Sequence, residues 1–165
     1  MNSTMTAGGF GNTAGMNERT IWERIIATDG NMASTVLRIA LALVIFPHGA
    51  QKLLGWFGGY GFEGTMGHFT ETMGIPYIFA LLAIIAEFFG PLALLAGFMS
   101  RVAAFGITVV MVVAMLMHVG NGFFMNWSGA QAGEGFEYHL LAIAMGAVLI
   151  VLGGGAWSVD RRLGR

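Results

Sequence analysis

The chain contains no cysteine, which removes disulfides, thiolate metal sites, cysteine-ligated iron–sulfur clusters and thiol redox chemistry together. Charge is almost as scarce: 10% of the 165 residues are Asp, Glu, Lys or Arg, against roughly a quarter in a soluble domain. With a formal net charge of −1 and no basic stripe, nothing argues for nucleic acid as a partner. The opening MNSTMTAGGFGNTAG has no basic stretch leading into an apolar one, so it does not read as a cleavable signal peptide. Phosphate-binding loops, nucleophile elbows and Walker patterns are missing as well.

What remains is apolar. Hydrophobic residues make up 56% of the chain, and the mean hydropathy is +0.71. Four apolar runs cover about 34–54, 75–99, 102–119 and 138–156. A hydrocarbon core about 30 Å thick needs about 20 helical residues, so each run can span it. The runs lack the alternation of barrel strands, which leaves helices as the way to satisfy the backbone in lipid. The expected fold is an all-α membrane protein, a four-transmembrane-helix bundle over 34–165. A disordered N-terminal tail over 1–17 and an amphipathic interfacial helix over 18–33 precede it. In that helix Ile21, Trp22, Ile25 and Ile26 form one stripe, with Glu18, Arg19, Glu23 and Arg24 elsewhere; a solvated helix packing on its own protein has the same pattern.

Basic residues set the orientation. Arg19, Arg24 and Arg38 precede or open the first span, Arg101 lies in the second turn, and Arg161, Arg162 and Arg165 follow the last span. Lys52 is the one basic residue on the other side. The positive-inside rule puts both termini in the cytoplasm and the two longer loops outside. Trp22 and Trp157 then fall at the inner boundary, Trp56 and Trp127 at the outer one. Small residues four apart, Ala86 with Gly90, Ala93 with Gly97 and Ala142 with Gly146, suggest close helix contacts. Pro47 and Pro91 should kink their helices. Runs one and three each begin near an arginine (Arg38, Arg101) and end near a histidine (His48, His118), as two duplicated hairpins would.

With these directions His48, Lys52, Glu87, His118, Asn121, Glu137 and His139 all occupy the outer half of the bundle. Intramembrane ionisable groups usually face the bundle interior and mark functional paths. Each has a plainer reading. Lys52 can snorkel, Glu137 and His139 can be interfacial loop residues, and His118 can be a core histidine bonded to a carbonyl. Glu87 is the hardest to dismiss, since a charged carboxylate at mid-membrane costs about 3 kcal/mol. It should be protonated, or paired with Lys52 or a histidine, and its plain reading is a polar cross-link between helices. Arg101 and Asp160 lie at the inner face, where topology explains them.

Three site chemistries compete. Two histidines and a carboxylate suit a metal, but the Glu-x-x-His pair of di-iron bundles is missing. His48 and His118, at matched depth, could be axial haem ligands. A quinone head-group pocket is the third, with His and Glu exchanging protons while Phe, Trp and Met enclose the ring. Met111, Met115 and His118 share a face that suits copper, although methionine is more often a packing residue.

The stretches HGAQKLLGWFGGYG, AEFFGPLALLAGFMSRVAAF, HVGNGFF, EGFEYHLLAIAM and WSVDRRL resemble, in order and spacing, the DoxX family of small four-helix membrane proteins. The likeness runs from about Arg38 to Leu163. It implies association with quinone-linked oxidoreductases in a bacterial inner membrane, and it puts the family's polar positions at His48, Gln51, Lys52, Glu87, Arg101, His118, Asn121, Glu137 and Asp160. It supplies no agreed catalytic residue or cofactor.

The expected function is an inner-membrane subunit of a quinone-linked oxidoreductase complex; the alternative is a non-catalytic anchor or assembly subunit that docks redox partners. If it is an enzyme, it is an accessory subunit. Glu87 and His48 would handle protons, His118 would hydrogen-bond the head group, and Lys52 would hold a negative partner or Glu87. Gln51 and Asn121 complete the candidate cofactor-binding set. Quinone is the cofactor expected; haem and metal are set aside, with no metal ligands assigned. Lipid, other subunits of the complex and a second copy of the chain are the expected partners.

Overall fold

The computed structural model describes residues 20–164; the 1–17 tail, Glu18, Arg19 and Arg165 lie outside the described residues. All the regular elements among them are helical. Four long helices form the body: α2 (Met32–Leu54), α4 (Tyr77–Ala96), α5 (Ser100–His118) and α6 (Glu137–Leu152). Short helices α1 (Ile21–Ile25), α3 (Gly61–Gly67) and α7 (Val159–Leu163) flank or join them. Three of the long helices, α2, α4 and α5 with its extension to Asn121, are long and apolar enough to cross a membrane. With 16 residues, α6 is shorter.

Local chemistry explains most of the boundaries. The Asn31 side chain accepts from the Ser34 amide at 2.8 Å, capping α2 two residues before the expected start. Gly97 takes a left-handed φ of 67° and stops α4 short of residue 99, where its apolar run ends. Gly153 and Gly155, both with φ 79°, end α6 at Leu152 although the apolar run continues to Ala156. The largest difference is upstream. Instead of a helix over 18–33, the described residues form one turn, α1, closed by a capping box between Thr20 and Glu23. Beyond it Ile26 to Asn31 are non-helical, where Thr28, Asp29, Gly30 and Asn31 favour turns over helix. The first long loop is itself largely helical. Gly61 opens α3, and five π-helical residues, His68–Thr72, follow it. Met66 of α3 is buried against Ala80 and Ile84 of α4.

The core joins all four long helices. Leu41, Ala42 and Ile45 of α2 meet Leu94 of α4, Ala104, Ile107 and Met111 of α5, and Ala142 and Leu149 of α6. Met111 is thereby a packing residue, which leaves the Met111–Met115–His118 face without its first member. The outward faces are equally apolar, with Val36, Leu43, Phe89, Phe105, Leu116 and Val151 all exposed. Helices hydrophobic all round belong in lipid.

Close approaches fall at small residues. A Cβ at Gly90 would press on Ile107 at 3.1 Å, and one at Gly146 would overlap the Thr108 hydroxyl, so both glycines seat their helices on α5. Gly49 matters most. A Cβ there would overlap the backbone carbonyl of Glu87, so α2 and α4 cross with backbones touching at Glu87. Pro91, four residues on, has no N–H to give that carbonyl.

At the end of the bundle where α2 begins, buried polar groups act as clasps. Arg38, 2% exposed, donates from Nε to Gly154 O at 2.7 Å, from Nη1 to Leu94 O and Leu95 O, and from Nη2 to Trp157 O at 2.9 Å. It thereby serves the terminal carbonyls of α4, of which Leu94 O also accepts from the Gly97 amide at 3.0 Å. Arg101 repeats the device on α6, donating to Ile150 O at 2.8 Å and to Ala27 O at 2.7 Å. Asp160 of α7, 1% exposed, accepts from the amides of Met99 and Ser100 at 2.7 and 2.9 Å, a carboxylate at the positive end of α5. Arg38, Arg101 and Asp160, read from the sequence as topology markers, are thus structural bonds. Thr35 Oγ1 donates to Ala156 O at 3.3 Å, and the Ala156 amide donates to Asn31 O at 3.1 Å. These bonds hold the start of α2 and the segment after α6 at the same end, so α2 and α5 run one way, α4 and α6 the other.

Candidate functional site

At the opposite end, the last turns of α2 and α5 and the first turn of α6 converge, and the middle of α4 faces them. The Lys52 ammonium lies 2.8 Å from Glu87 Oε2, with side-chain exposures of 25% and 4%. Lys52 therefore turns inward to the carboxylate rather than snorkelling. This is the one ion pair among the described residues, and it joins α2 to α4 one turn beyond the Gly49 crossing. An unpaired carboxylate buried to this degree would be expensive, and the ammonium answers it.

From this pair a string of rings crosses to α6 and α5. His48, one turn before Lys52 and on the same face of α2, is exposed. Its ring centroid lies 6.0 Å from that of Tyr138. Tyr138 stands 5.7 Å from His139, and His139 stacks on His118 at 4.9 Å with 29° between the planes. His118 Nδ1 lies 2.7 Å from the Ala114 carbonyl one turn back. A carbonyl only accepts, so Nδ1 carries a proton, and in the neutral imidazole Nε2 is left with an acceptor lone pair. This is the carbonyl-bonded histidine of the plainer reading, and the bond also fixes the tautomer. The buried Tyr138 hydroxyl and His139 Nδ1 have no hydrogen-bond partner among the described residues, the condition in which a buried polar group asks for a ligand or water.

The expected residues therefore separate. Glu87, Lys52, His48 and His118 come together with His139, which is 8% exposed and is no loop residue. The other three hold loops. Gln51 reaches only the Phe57 carbonyl, at 3.4 Å. Asn121 donates to Glu134 O at 3.0 Å, and Glu137 accepts from the Met125 amide at 2.9 Å. Depth and residue type grouped them with the site, but their bonds go to the backbone of the loops that close this end. Tyr138 was missed; the signal was its place between Glu137 and His139 in FEYH, a ring with a polar tip at the depth of the cluster. Among the described residues no group of three His, Asp or Glu side chains is placed to hold a metal ion.

Chemically the arrangement has a buried carboxylate with its cation, an exposed imidazole, a phenol, and two stacked imidazoles of which one has a defined free nitrogen. Such a set can exchange protons and hydrogen-bond a planar polar ligand.

The DoxX family model matches residues 33–120, a stretch that takes in α2 to α5 with Lys52, Glu87 and His118. The chain belongs to the DoxX family. It is similar to the Inner membrane protein YqjF of Escherichia coli, at 32% identity over 112 residues, covering 67% of this chain and 81% of the relative. It is also similar to the Uncharacterized membrane protein Rv3486 of Mycobacterium tuberculosis, at 28% identity over 151 residues, covering 87% of this chain and 89% of the relative. No solved structure matches it. The DoxX match and both relatives agree with the apolar helices in making this a membrane protein.

Proposed function

We propose that this DoxX protein is a multi-pass inner-membrane subunit of a quinone-linked oxidoreductase complex, with the ring-lined site receiving the quinone head group. In this reading α6 is the fourth span. It is about 24 Å long at 1.5 Å per residue, and the glycine segment anchored by Arg38 extends it. Both termini face the cytoplasm, the side on which Arg24, Arg101, Arg161 and Arg162 gather. The name of the Escherichia coli relative, an inner membrane protein, supports the location.

The observation that carries the reading is the unpartnered Tyr138 hydroxyl and His139 Nδ1 inside a cluster that also holds the Lys52–Glu87 pair. Quinone reduction adds two electrons and two protons per head group, and its oxidation returns them. Partner subunits would supply or accept the electrons. Glu87 and His48 would pass protons, with exposed His48 as the outer relay and Glu87 kept near it by Lys52. His118 Nε2 and the Tyr138 hydroxyl would hydrogen-bond the quinol hydroxyl and the quinone carbonyl. An amphiphile entering from lipid would meet exposed His48 first.

The completeness of the Lys52–Glu87 pair favours a second reading, a cross-link between α2 and α4 in a non-catalytic anchor that docks redox partners. Purification from native membranes separates the two. A quinone site should hold quinone in near-equimolar amount in the wild type, falling about tenfold in a Glu87→Gln, His48→Ala double variant, the loss of roughly 1.4 kcal/mol of binding. Equal quinone in both proteins would remove the site assignment, and none in either would leave the anchor.

A further inference from the structure

On the opposite flank, facing lipid where α1 meets α5, lies an open groove of about 360 Å³. Its polar rim is Arg24 and Arg101, its walls include Ile21, Ile25, Val102 and Phe105, and among the described residues no acidic side chain lines it. The Arg101 guanidinium is held in place by its bonds to Ala27 O and Ile150 O, and Nη2 makes no hydrogen bond among the described residues. Arg24 is exposed and forms no ion pair among them.

Polar and apolar parts are ordered along the bilayer normal. Arg101 is the second residue of α5. Val102, the residue after it, and Phe105, one turn on toward the membrane centre, are 45% and 60% exposed. On the other side of the groove, the exposed Trp22 marks the boundary at which tryptophan settles. Two cations at head-group depth above an apolar wall match the outline of an amphiphile with a negative head. A zwitterionic head would set its own ammonium against the same two arginines. A preorganised arginine also forms forked bonds to phosphate oxygens, which a diffuse positive surface does not.

We infer that this groove binds an anionic phospholipid of the adjacent leaflet, its phosphate between Arg24 and Arg101 and an acyl chain along Val102 and Phe105. Bound there, the lipid ties the one-turn helix α1 to α5 and gives the amphipathic segment its place at the interface. The inference is independent of the quinone site.

Native mass spectrometry of the full chain in detergent, titrated with phosphatidylglycerol or phosphatidylcholine, tests it. The wild type should take up the first phosphatidylglycerol about fivefold more tightly than phosphatidylcholine. Arg24→Gln should lose that preference, consistent with about one basic contact at an anionic head group. The Arg24 side chain makes no hydrogen bond among the described residues, so the variant should remain folded. Arg24→Glu should bind phosphatidylglycerol more weakly still, and Arg162→Gln, exposed and outside the groove, should behave as wild type. Equal uptake of both lipids, or an Arg24→Gln protein that keeps its preference, overturns the inference. So does displacement of the lipid by millimolar inorganic phosphate, which would mark a site for free anions.

Discussion

Replacing Arg38 with leucine should lower the stability of the folded protein by about 4 kcal/mol or more, the largest loss expected from a single substitution. Four carbonyls, those of Gly154, Leu94, Leu95 and Trp157, accept from this one buried side chain, and only the Leu94 oxygen keeps a second donor among the described residues, the Gly97 amide at 3.0 Å. Leucine answers none of them. A buried carbonyl stripped of its partner costs about 1–3 kcal/mol, and more than one of these cannot reach water. Loss on this scale approaches the whole stability of many proteins, about 5–15 kcal/mol. Arg38→Lys should recover less than half, because a single ammonium cannot fork to acceptors on two segments. Unfolding in mixed micelles of rising SDS fraction, followed by tryptophan fluorescence, gives the comparison. A loss under about 1 kcal/mol would mean the clasp is dispensable.

The second large effect concerns the ion pair, and it should be unequal between the partners. Lys52→Met leaves the Glu87 carboxylate, 4% exposed, without its cation and should destabilise by about 2–3 kcal/mol, at the low end for a broken buried pair. Glu87→Gln leaves Lys52, 25% exposed, free to turn toward the surface and should cost only about 1 kcal/mol. The double variant should resemble Glu87→Gln alone, because the uncompensated carboxylate is gone. A coupling energy of about 2 kcal/mol in the double-mutant cycle follows. Additive losses would show that the two groups do not depend on each other. The same proteins bear on function: an anchor loses stability alone, whereas a proton site also loses quinone.

How far these residues could be read in advance depended on where their partners lie in the chain. The spans were legible because each is a continuous apolar run, and α2, α4 and α5 fall within a few residues of their expected limits. The end of α6 was not, because Gly153 to Gly155 are apolar by hydropathy while their backbone breaks the helix. The helix expected over 18–33 averaged a real stripe over residues whose turn chemistry stops it at Ile25. Depth placed His48, Lys52, Glu87 and His118 at one end of the bundle, since direction and spacing suffice to align helices end for end. It could not separate them from Gln51, Asn121 and Glu137, whose partners are backbone atoms of irregular loops. Arg38 shows the limit most clearly. Its acceptors are 56 to 119 residues away, and in sequence it is one more arginine at the start of a span.

The two ends of the bundle thereby divide the work. Arg38, Arg101 and Asp160 close one end through bonds to backbone, with the Ser34 and Ser100 hydroxyls buried without a partner there, while the other end keeps the Tyr138 hydroxyl and His139 Nδ1 unanswered among the described residues. The most direct test of a quinone site there is photolabelling of the purified protein with an azido-quinone, followed by peptide mapping. Label should appear on the peptides carrying His48 to Lys52, His118 and Tyr138–His139, and excess unlabelled quinone should suppress it. Label spread along the lipid-facing surfaces of α4 and α5, undiminished by competitor, would contradict a quinone site.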